Sequence, residues 1–377
     1  MKLAVVLVGY NRPDSMKRLF DSVVRSSLIE RVDLIVSLDK SDVQNAIFRI
    51  VSECDRGKSR VIFRLFEEKQ GLRKHILSCG DLTDDYDAVV VLEDDIVVSE
   101  CFLNFVFSVL DYVGDNEVIA GISLYSPAIN EMCLLPFVPK PTGFDNFYLQ
   151  SAQSWGQCWT RNMWRGFRRW YDSNSVILLD DSDMPSRIYS WPETSWKKYY
   201  MKYLVESGRT FLYPYHSFST NYSDVGQHNK MVSPHFQVPL VSGKESFHFG
   251  ALHEVPVYDV FFERKGLLFG SESICCDIYG TKRKSSSRFL LSSKVLDAPV
   301  VDSYGLTFRP HEDNYLRKSS GCDIFLYDLK GFDDVELKDN CFNFKLANYH
   351  SMLSWRHSLI YGLGTLMARI TQRFKRL

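Results

Sequence analysis

Short apolar runs alternate with amphipathic segments along the first 125 residues. The predominantly apolar runs are typical of strands buried on both faces and lie at 3–8, 32–38, 61–66, 88–92 and 118–124. Segments with apolar residues at helical spacing separate them, beginning after the turn at 11–15 and covering 43–54, 72–80 and 102–113. This alternation predicts an α/β fold with a mostly parallel sheet flanked by helices.

Residues 126–250 have a different texture, in which aromatic, proline and polar residues are mixed. Six of the seven tryptophans fall in this stretch, namely Trp155, Trp159, Trp164, Trp170, Trp191 and Trp196. They indicate either a dense aromatic core or the wall of a carbohydrate pocket, because sugars stack their CH faces on indoles. This change of texture divides the chain into a first half (1–125), a second half of the same domain (126–250) and a C-terminal extension (251–377).

The C-terminal extension ends in a clear pattern. Apolar residues recur at helical spacing over 352–377, and the five Arg and Lys residues there face no acid in the segment. A basic amphipathic helix suits an anionic membrane surface, and the alternative is a helix packed on the domain with a solvated basic face. Its uncharged run is too short to cross a bilayer. The rest of the extension, with an exposed basic loop at 281–288, suggests no function.

Composition narrows the class of protein further. Net charge is −1 over 377 residues, which does not suggest a nucleic-acid binder. The nine cysteines are scattered and include no Cys-x-x-Cys pair. This pattern argues against a disulfide framework and against a zinc site. The apolar run after Met1 lacks a cleavage pattern, so we expect no signal peptide and a cytoplasmic protein.

Three consecutive acids end the fourth predicted strand. Glu93, Asp94 and Asp95 follow the buried run 88–92. Like charges at a strand end repel one another, and a bound divalent cation relieves that repulsion. Because successive residues of an extended chain point to opposite sides, one carboxylate should face the metal while the others face ribose or scaffold. Hard oxygen ligands suit Mg²⁺ or Mn²⁺, whereas an acidic turn before the next helix is the alternative.

Other candidate residues also follow predicted strands. Arg12 comes after the first strand, where ligands bind in an open sheet, and could contact a phosphate. Asp39 ends the second strand and could accept hydrogen bonds from a base or ribose. Each has a simpler interpretation, since Arg12 fits an exposed turn and Asp39 a helix cap.

The tryptophan-rich half contains three further candidates. Trp155 lies in a small-residue segment, 151–159, that could admit a ligand. Glu193 lies between Trp191 and Trp196, where an apolar setting would raise the pKa of a general base, although Pro192 in front also fits a first-turn helix acid. His228 ends a predicted flexible loop and could supply a ligand, although a lone histidine is more often structural.

Taken together, these motifs resemble GT-A glycosyltransferases over roughly residues 1–235. The similarity is to bacterial family-2-like enzymes and to the N-acetylglucosaminyltransferase I family, family 13. The motifs that carry it are Asn11-Arg12, Asp39, Gly71-Leu72-Arg73, Glu93-Asp94-Asp95, Ser154-Trp155-Gly156 and Gly226-Gln227-His228.

The resemblance implies a metal-dependent inverting transferase that uses a nucleotide-sugar donor, most often a UDP-sugar, with Mn²⁺ or Mg²⁺. In that interpretation the half 1–125 binds the nucleotide sugar and the half 126–250 binds the acceptor. The metal is bound by Asp95 and His228, and the acceptor by Trp155 and Trp196. The donor is bound by Arg12, Asp39, Arg73, Glu93 and Asp94. The family's base position corresponds to Thr194, and the nearest carboxylate is Glu193, with Asp183 and Asp224 as alternatives.

The acceptor implied is a hydroxyl of a glycan or of a lipid-linked oligosaccharide, as in surface polysaccharide synthesis at the inner membrane face. Two other classes of protein stay open. A sugar nucleotidyltransferase usually has a glycine-rich loop after strand one, and the segment 9–13 is poor in glycine. A non-catalytic sugar- or membrane-binding protein with a degenerate transferase fold would tolerate the displaced base.

Overall fold

A computed structural model describes residues 1–174, 183–224, 234–332, 337 and 355–374. The strands in these ranges are β1 (Leu3–Gly9), β2 (Val32–Leu38), β3 (Arg60–Leu65), β4 (Ala88–Glu93), β5 (Ile96–Val98), β6 (Ile119–Ser123), β7 (Ile129–Asn130), β8 (Leu135–Pro136), β9 (Asn146–Leu149), β10 (Gln157–Thr160), β11 (Thr210–Pro214), β12 (Ser219–Asn221), β13 (Val257–Tyr258), β14 (Leu268–Phe269), β15 (Glu272–Asp277), β16 (Phe289–Ser292), β17 (Val300–Tyr304) and β18 (Ile324–Asp328).

The helices in the same ranges are α1 (Pro13–Val24), α2 (Gln44–Glu53), α3 (Leu72–Gly80), α4 (Phe102–Val113), α5 (Arg161–Asn174), α6 (Ser186–Tyr189), α7 (Trp196–Ser207) and α8 (Asp313–Leu316), followed by the C-terminal helix Trp355–Phe374. Short 3₁₀ turns occur at Ile29–Arg31, Asp81–Asp84 and Pro234–Phe236.

A nine-stranded sheet forms the centre of the molecule. Its strand order is β13-β9-β11-β6-β10-β4-β1-β2-β3, and five of the eight strand pairs are parallel. Every residue of β1 is buried, because helices cover both faces of this part of the sheet. The predicted α/β fold with a mostly parallel sheet flanked by helices is confirmed.

The strand order of the main sheet reverses at β1, and the candidate site lies at this reversal. The chain runs from β1 to β2 and β3 on one side and then returns to place β4 on the other side. The carboxyl ends of these strands meet, since Val8 pairs with Glu93 and Gly9 with Leu38. In open α/β sheets, ligands bind in the crevice at such a reversal.

Strand β10 brings the tryptophan-rich segment into the same sheet. It is antiparallel to β4 and β6 and lies between them, with Trp159 opposite Val89. Trp159 is fully buried and its ring lies 4.7 Å from that of Trp164 and 5.8 Å from that of Tyr200. The aromatic core interpretation therefore holds for Trp159 and Trp164.

The C-terminal extension contains a second, five-stranded sheet in the order β14-β15-β16-β18-β17, with its own apolar core. The main sheet continues past residue 250, because β13 pairs with β9. None of the helices in the described ranges is long and apolar enough to cross a membrane.

Replacing Lys294 with methionine should destabilise the second sheet strongly. The side chains of Lys294 and Asp277 are 1% and 0% exposed, and their charged atoms lie 3.3 Å apart. Without the ammonium group, a buried carboxylate keeps its desolvation cost and loses its partner. We expect the free energy of unfolding, measured by urea denaturation with circular dichroism, to fall by about 3–5 kcal/mol.

A surface pair is the matched control for this variant. Lys284 and Asp183 lie 2.6 Å apart with side chains 56% and 53% exposed, so Lys284→Met should cost less than about 1 kcal/mol. Adding Asp277→Asn to Lys294→Met should recover part of the loss. Equal losses from the two lysine variants would contradict the burial argument.

Candidate active site

A cleft opens at the carboxyl ends of β1, β2 and β4. The loop after β1 forms one wall, and the N-terminal end of α3 forms the other. The residues that line the cleft are Val8, Gly9, Tyr10, Asn11, Arg12, Asp39, Lys69, Gly71, Leu72, His75, Glu93 and Asp94. Four of the predicted donor-binding residues, Arg12, Asp39, Glu93 and Asp94, therefore share one cleft.

Arg12 is the cation that contacts the acidic triplet. It precedes Pro13, the first residue of α1, so the rigid start of the helix fixes its backbone. Its guanidinium forms an ion pair with Asp94, and the distance from its Nη2 to Oδ2 of Asp95 is 3.6 Å. The alternative interpretation of Arg12 as an exposed turn residue is wrong, because its side chain is only 20% exposed and is held against carboxylates.

The three acids occupy different environments. Burial raises the pKa of Glu93 to about 8, with further contributions from Asp95 and Asp94, while Arg12 and the Trp196 indole oppose the rise. Burial also raises the pKa of Asp94 to about 6, and Arg12 opposes it. Asp95 has a side chain that is 23% exposed; it is not among the residues that line the cleft, and lies beside it next to Arg12. One guanidinium thus faces three carboxylates, a charge imbalance that further cations would relieve.

The residues present fit a divalent cation that arrives with a diphosphate. In the part of the chain that the structure describes, no three His, Cys, Asp or Glu side chains converge on one point. Mg²⁺ commonly takes one or two protein carboxylates and completes its shell with phosphate oxygens and water. The partly exposed carboxylate of Asp95 matches that pattern, whereas a cage made of protein ligands alone does not.

Asp39 connects two elements of the cleft. Its carboxylate accepts hydrogen bonds from the backbone N–H groups of Gln70 (2.7 Å) and Gly71 (2.9 Å), and from that of Lys40 (2.8 Å). These bonds fix the loop that starts α3 against the end of β2. Two carboxylate oxygens have about four acceptor sites, so one is left for a ligand.

A second cavity adjoins the cleft and shares Glu93 and Leu72 with it. Its other lining residues are Glu131, Ser154, Trp155, Arg187, Trp191, Ser195, Trp196, Lys197 and Phe236. Both predicted acceptor residues, Trp155 and Trp196, therefore lie in its wall. Trp155 and Trp191 are half-buried and keep part of their ring surface open, whereas Trp196 is 2% exposed.

An ion pair lies in the wall of the second cavity. Lys197 Nζ donates to both carboxylate oxygens of Glu131, at 3.0 and 2.8 Å, and also lies 5.8 Å from the ring centre of Trp155. The side chains of Glu131 and Lys197 are only 11% and 8% exposed. Among the described residues, Glu131 and Glu93 are the carboxylates that line this cavity.

Glu193 and Arg73 lie elsewhere, close to each other. Glu193 accepts hydrogen bonds from Lys198 Nζ and from the Tyr199 hydroxyl, both at 2.5 Å, and these bonds lower its pKa. Arg73 packs over the Tyr199 ring at 4.9 Å. Neither residue is among those that line the cleft or the second cavity. The structure therefore gives no support to Glu193 as a base with a raised pKa, or to Arg73 as a contact of the donor.

The alternative base residues, Asp183 and Asp224, do not lie beside the Glu93-Asp94-Asp95 triplet either. Asp183 pairs with Lys284 on the surface. Asp224 accepts a hydrogen bond from the Ser15 hydroxyl at 2.6 Å and pairs with Arg18 of α1. His228 falls outside the described residues.

Comparisons with known proteins give partial likenesses of fold. No protein-family model and no curated protein matches the sequence. Among solved structures, S. aureus TarS 1–349 in complex with UDP is 13% identical over 58% of this chain and 60% of that chain, with a TM-score of 0.36. The same fragment with UDP-GlcNAc is 11% identical over 66% and 60%, with a TM-score of 0.36.

A second solved protein is also similar in part. The mannosyltransferase PcManGT from Pyrobaculum calidifontis, in complex with GDP-Man and Mn²⁺, is 10% identical over 45% of this chain and 46% of that chain, with a TM-score of 0.32. The chain thus spans well under two thirds of each of these proteins. Any function for this chain has to be argued from its own site.

Several site residues were missed by the sequence patterns. Tyr10 and Lys69 lie across the cleft, with the ammonium 5.1 Å from the ring centre. His75 lies in the cleft lining, bonded to Ser37 at 2.8 Å, and burial lowers its pKa to about 4. The signal for His75 was its place in the first turn of α3, directly after the Gly71-Leu72-Arg73 segment. Glu131 gave no local signal, because it is one acid in an irregular stretch.

Proposed function

We propose that the protein is a metal-dependent glycosyltransferase, which moves a sugar from a nucleotide-sugar donor to an acceptor hydroxyl. The observation that carries this proposal is the pair of adjoining cavities with Glu93 and Leu72 in both. One cavity is lined by charged side chains of both signs and lies at the strand-order reversal, which suits a nucleoside diphosphate. The other has indole walls, which suits a sugar ring.

In this proposal the cleft binds the nucleotide. The free acceptor site of Asp39 takes an N–H or O–H of the base or ribose, and Tyr10 supplies a ring surface next to it. Arg12 lies beside the acids, where it can contact the diphosphate. A UDP-sugar is the donor implied by the resemblance to GT-A enzymes.

In the same proposal, Asp95 is the residue that binds the divalent cation. Mg²⁺ or Mn²⁺ held there would neutralise charge on the departing nucleoside diphosphate. Glu93 and Asp94 then lie beside the ribose or the donor sugar, with Asp94 kept in place by Arg12.

The second cavity positions the acceptor, and Glu131 is our candidate for the proton acceptor. In an inverting transfer the acceptor oxygen bonds to the anomeric carbon as the bond from that carbon to the diphosphate oxygen breaks. The acceptor proton passes to a carboxylate within reach. Glu131 lies in the cavity wall, oriented by Lys197, whereas Glu193 lies outside it.

The donor class can be measured by thermal stabilisation. A nucleotide sugar with Mn²⁺ at about 100 times its Kd should stabilise the folded protein by about 2.7 kcal/mol. We therefore expect a clear rise in Tm for one member of a panel of UDP-, GDP- and CDP-sugars, with Mn²⁺ present. The same member should be hydrolysed slowly, and chelation with EDTA should abolish both effects.

The same assay separates the alternatives when nucleoside triphosphates, sugar phosphates and free sugars are added to the panel. Stabilisation only by a nucleoside triphosphate together with a sugar phosphate would indicate a nucleotidyltransferase. Stabilisation by free sugars without any response to nucleotides would indicate a non-catalytic binding protein. Either result overturns the proposed transferase.

A further inference from the structure

The C-terminal helix Trp355–Phe374 carries apolar side chains that are exposed in the part of the chain that the structure describes. Seven large hydrophobic side chains of this helix are between 42% and 64% exposed, namely Tyr361 and the six aliphatic residues Leu359, Ile360, Leu363, Leu366, Met367 and Ile370. Soluble proteins rarely leave a contiguous apolar surface of this kind open unless it meets a partner.

The spacing of the six aliphatic residues gathers them on one side of the helix. At about 100° per residue, the six side chains fall within a sector of about 120°. By the same count Tyr361 and Thr365 lie on the other side, Gly362 and Gly364 flank the sector, and Arg356 lies within it at its N-terminal end. The apolar side chains therefore form a stripe along the helix. Its width is typical of an amphipathic helix that buries one side in a protein core or in a membrane interface.

Charge decides between the possible occupants of this stripe. Residues 352–377 contain five Arg and Lys residues, Arg356, Arg369, Arg373, Lys375 and Arg376, and no Asp or Glu. A second copy of the same helix would bring five cations against five cations, with no acid available for an ion pair between the helices. An anionic surface complements the segment along its whole length.

We propose that this helix binds the surface of an anionic lipid membrane, lying parallel to it with the apolar stripe among the acyl chains. Apolar burial and attraction between Arg or Lys and acidic headgroups act together in such helices, and each alone gives weak binding. The helix does not meet the criteria for spanning a bilayer. The inference is independent of the proposed transferase, although it would bring the active site to an acceptor carried on a lipid.

Vesicle sedimentation of the full chain tests the proposal. The protein should sediment with vesicles of phosphatidylcholine mixed with phosphatidylglycerol and stay in solution with phosphatidylcholine alone. Raising the salt concentration should weaken binding to the mixed vesicles. Equal behaviour with the two kinds of vesicle would overturn the role of the basic residues.

Two adjacent substitutions provide a matched pair. Leu366→Glu places a charge in the stripe, while Thr365→Glu places the same charge on the opposite side. We expect Leu366→Glu to lower the vesicle partition coefficient by roughly tenfold or more, and Thr365→Glu to lower it far less. Equal losses would contradict insertion of the stripe. Light scattering that shows a dimer in wild type and a monomer in Leu366→Glu would assign the stripe to a second copy instead.

Discussion

Asp95→Asn should remove the metal-dependent turnover of the donor, lowering kcat on the order of 10²-fold or more. Asparagine keeps the size and one oxygen of the side chain but loses the charge that holds a divalent cation. Both Asp94 and Asp95 lie near Arg12, and Asp95 is the more accessible of the two, since its side chain is 23% exposed and that of Asp94 is 7% exposed. The rate of donor hydrolysis against Mn²⁺ concentration is the measurement.

The control for this variant is Glu30→Gln, which removes an exposed carboxylate far along the chain from the triplet. It should leave the Mn²⁺ dependence unchanged. The Tm rise caused by nucleotide sugar and Mn²⁺ together should also be lost in Asp95→Asn, while the Tm without ligand stays close to that of the wild type. A variant that keeps the wild-type Mn²⁺ dependence would exclude Asp95 as a ligand.

The fold of the first 125 residues was predictable because its signals are local. Helices were expected at 72–80 and 102–113, and the structure has them at Leu72–Gly80 and Phe102–Val113. The strand expected at 88–92 is Ala88–Glu93. Buried parallel strands are apolar throughout and amphipathic helices repeat at 3.6 residues, so each element is visible without knowledge of its neighbours.

The second half was less predictable because its order depends on contacts distant in sequence. Strand β10 has only four residues and lies antiparallel between β4 and β6. Gly156, just before it, has a φ of +102°, and a Cβ there would lie 2.8 Å from Ser219 Oγ. The small residues of that segment therefore serve a close backbone approach, whereas Trp155 faces the second cavity.

The residues of the candidate site also fall into a predictable group and an unpredictable group. Arg12, Asp39 and Glu93 each follow a strand of the parallel sheet, so topology alone brings them to one edge. Glu131 lies in the site in contact with Lys197 of α7, a residue 66 positions away in the sequence. Glu193 instead accepts hydrogen bonds from Lys198 and Tyr199 of α7, and a sequence motif does not reveal these partners.

Glu131→Gln should lower kcat for sugar transfer by about 10²–10⁴-fold, the usual contribution of a positioned proton acceptor. The amide keeps the shape of the side chain and a hydrogen bond to Lys197, but it cannot take the acceptor proton. Donor binding uses the adjoining cleft, so the Tm rise caused by nucleotide sugar and Mn²⁺ should persist. That persistence also shows that the variant is folded despite the change at a buried ion pair.

Glu193→Gln is the matched variant, since it removes the same charge from a carboxylate outside both cavities. It disturbs the bonds to Lys198 and Tyr199 and should change kcat only a few-fold. Transfer to an acceptor has to be measured, because hydrolysis by water depends less on the proton acceptor. The opposite pattern, a large loss in Glu193→Gln and a small one in Glu131→Gln, would return the role of base to the position that the resemblance implied, and would mean that the α7 start rearranges when the substrates bind.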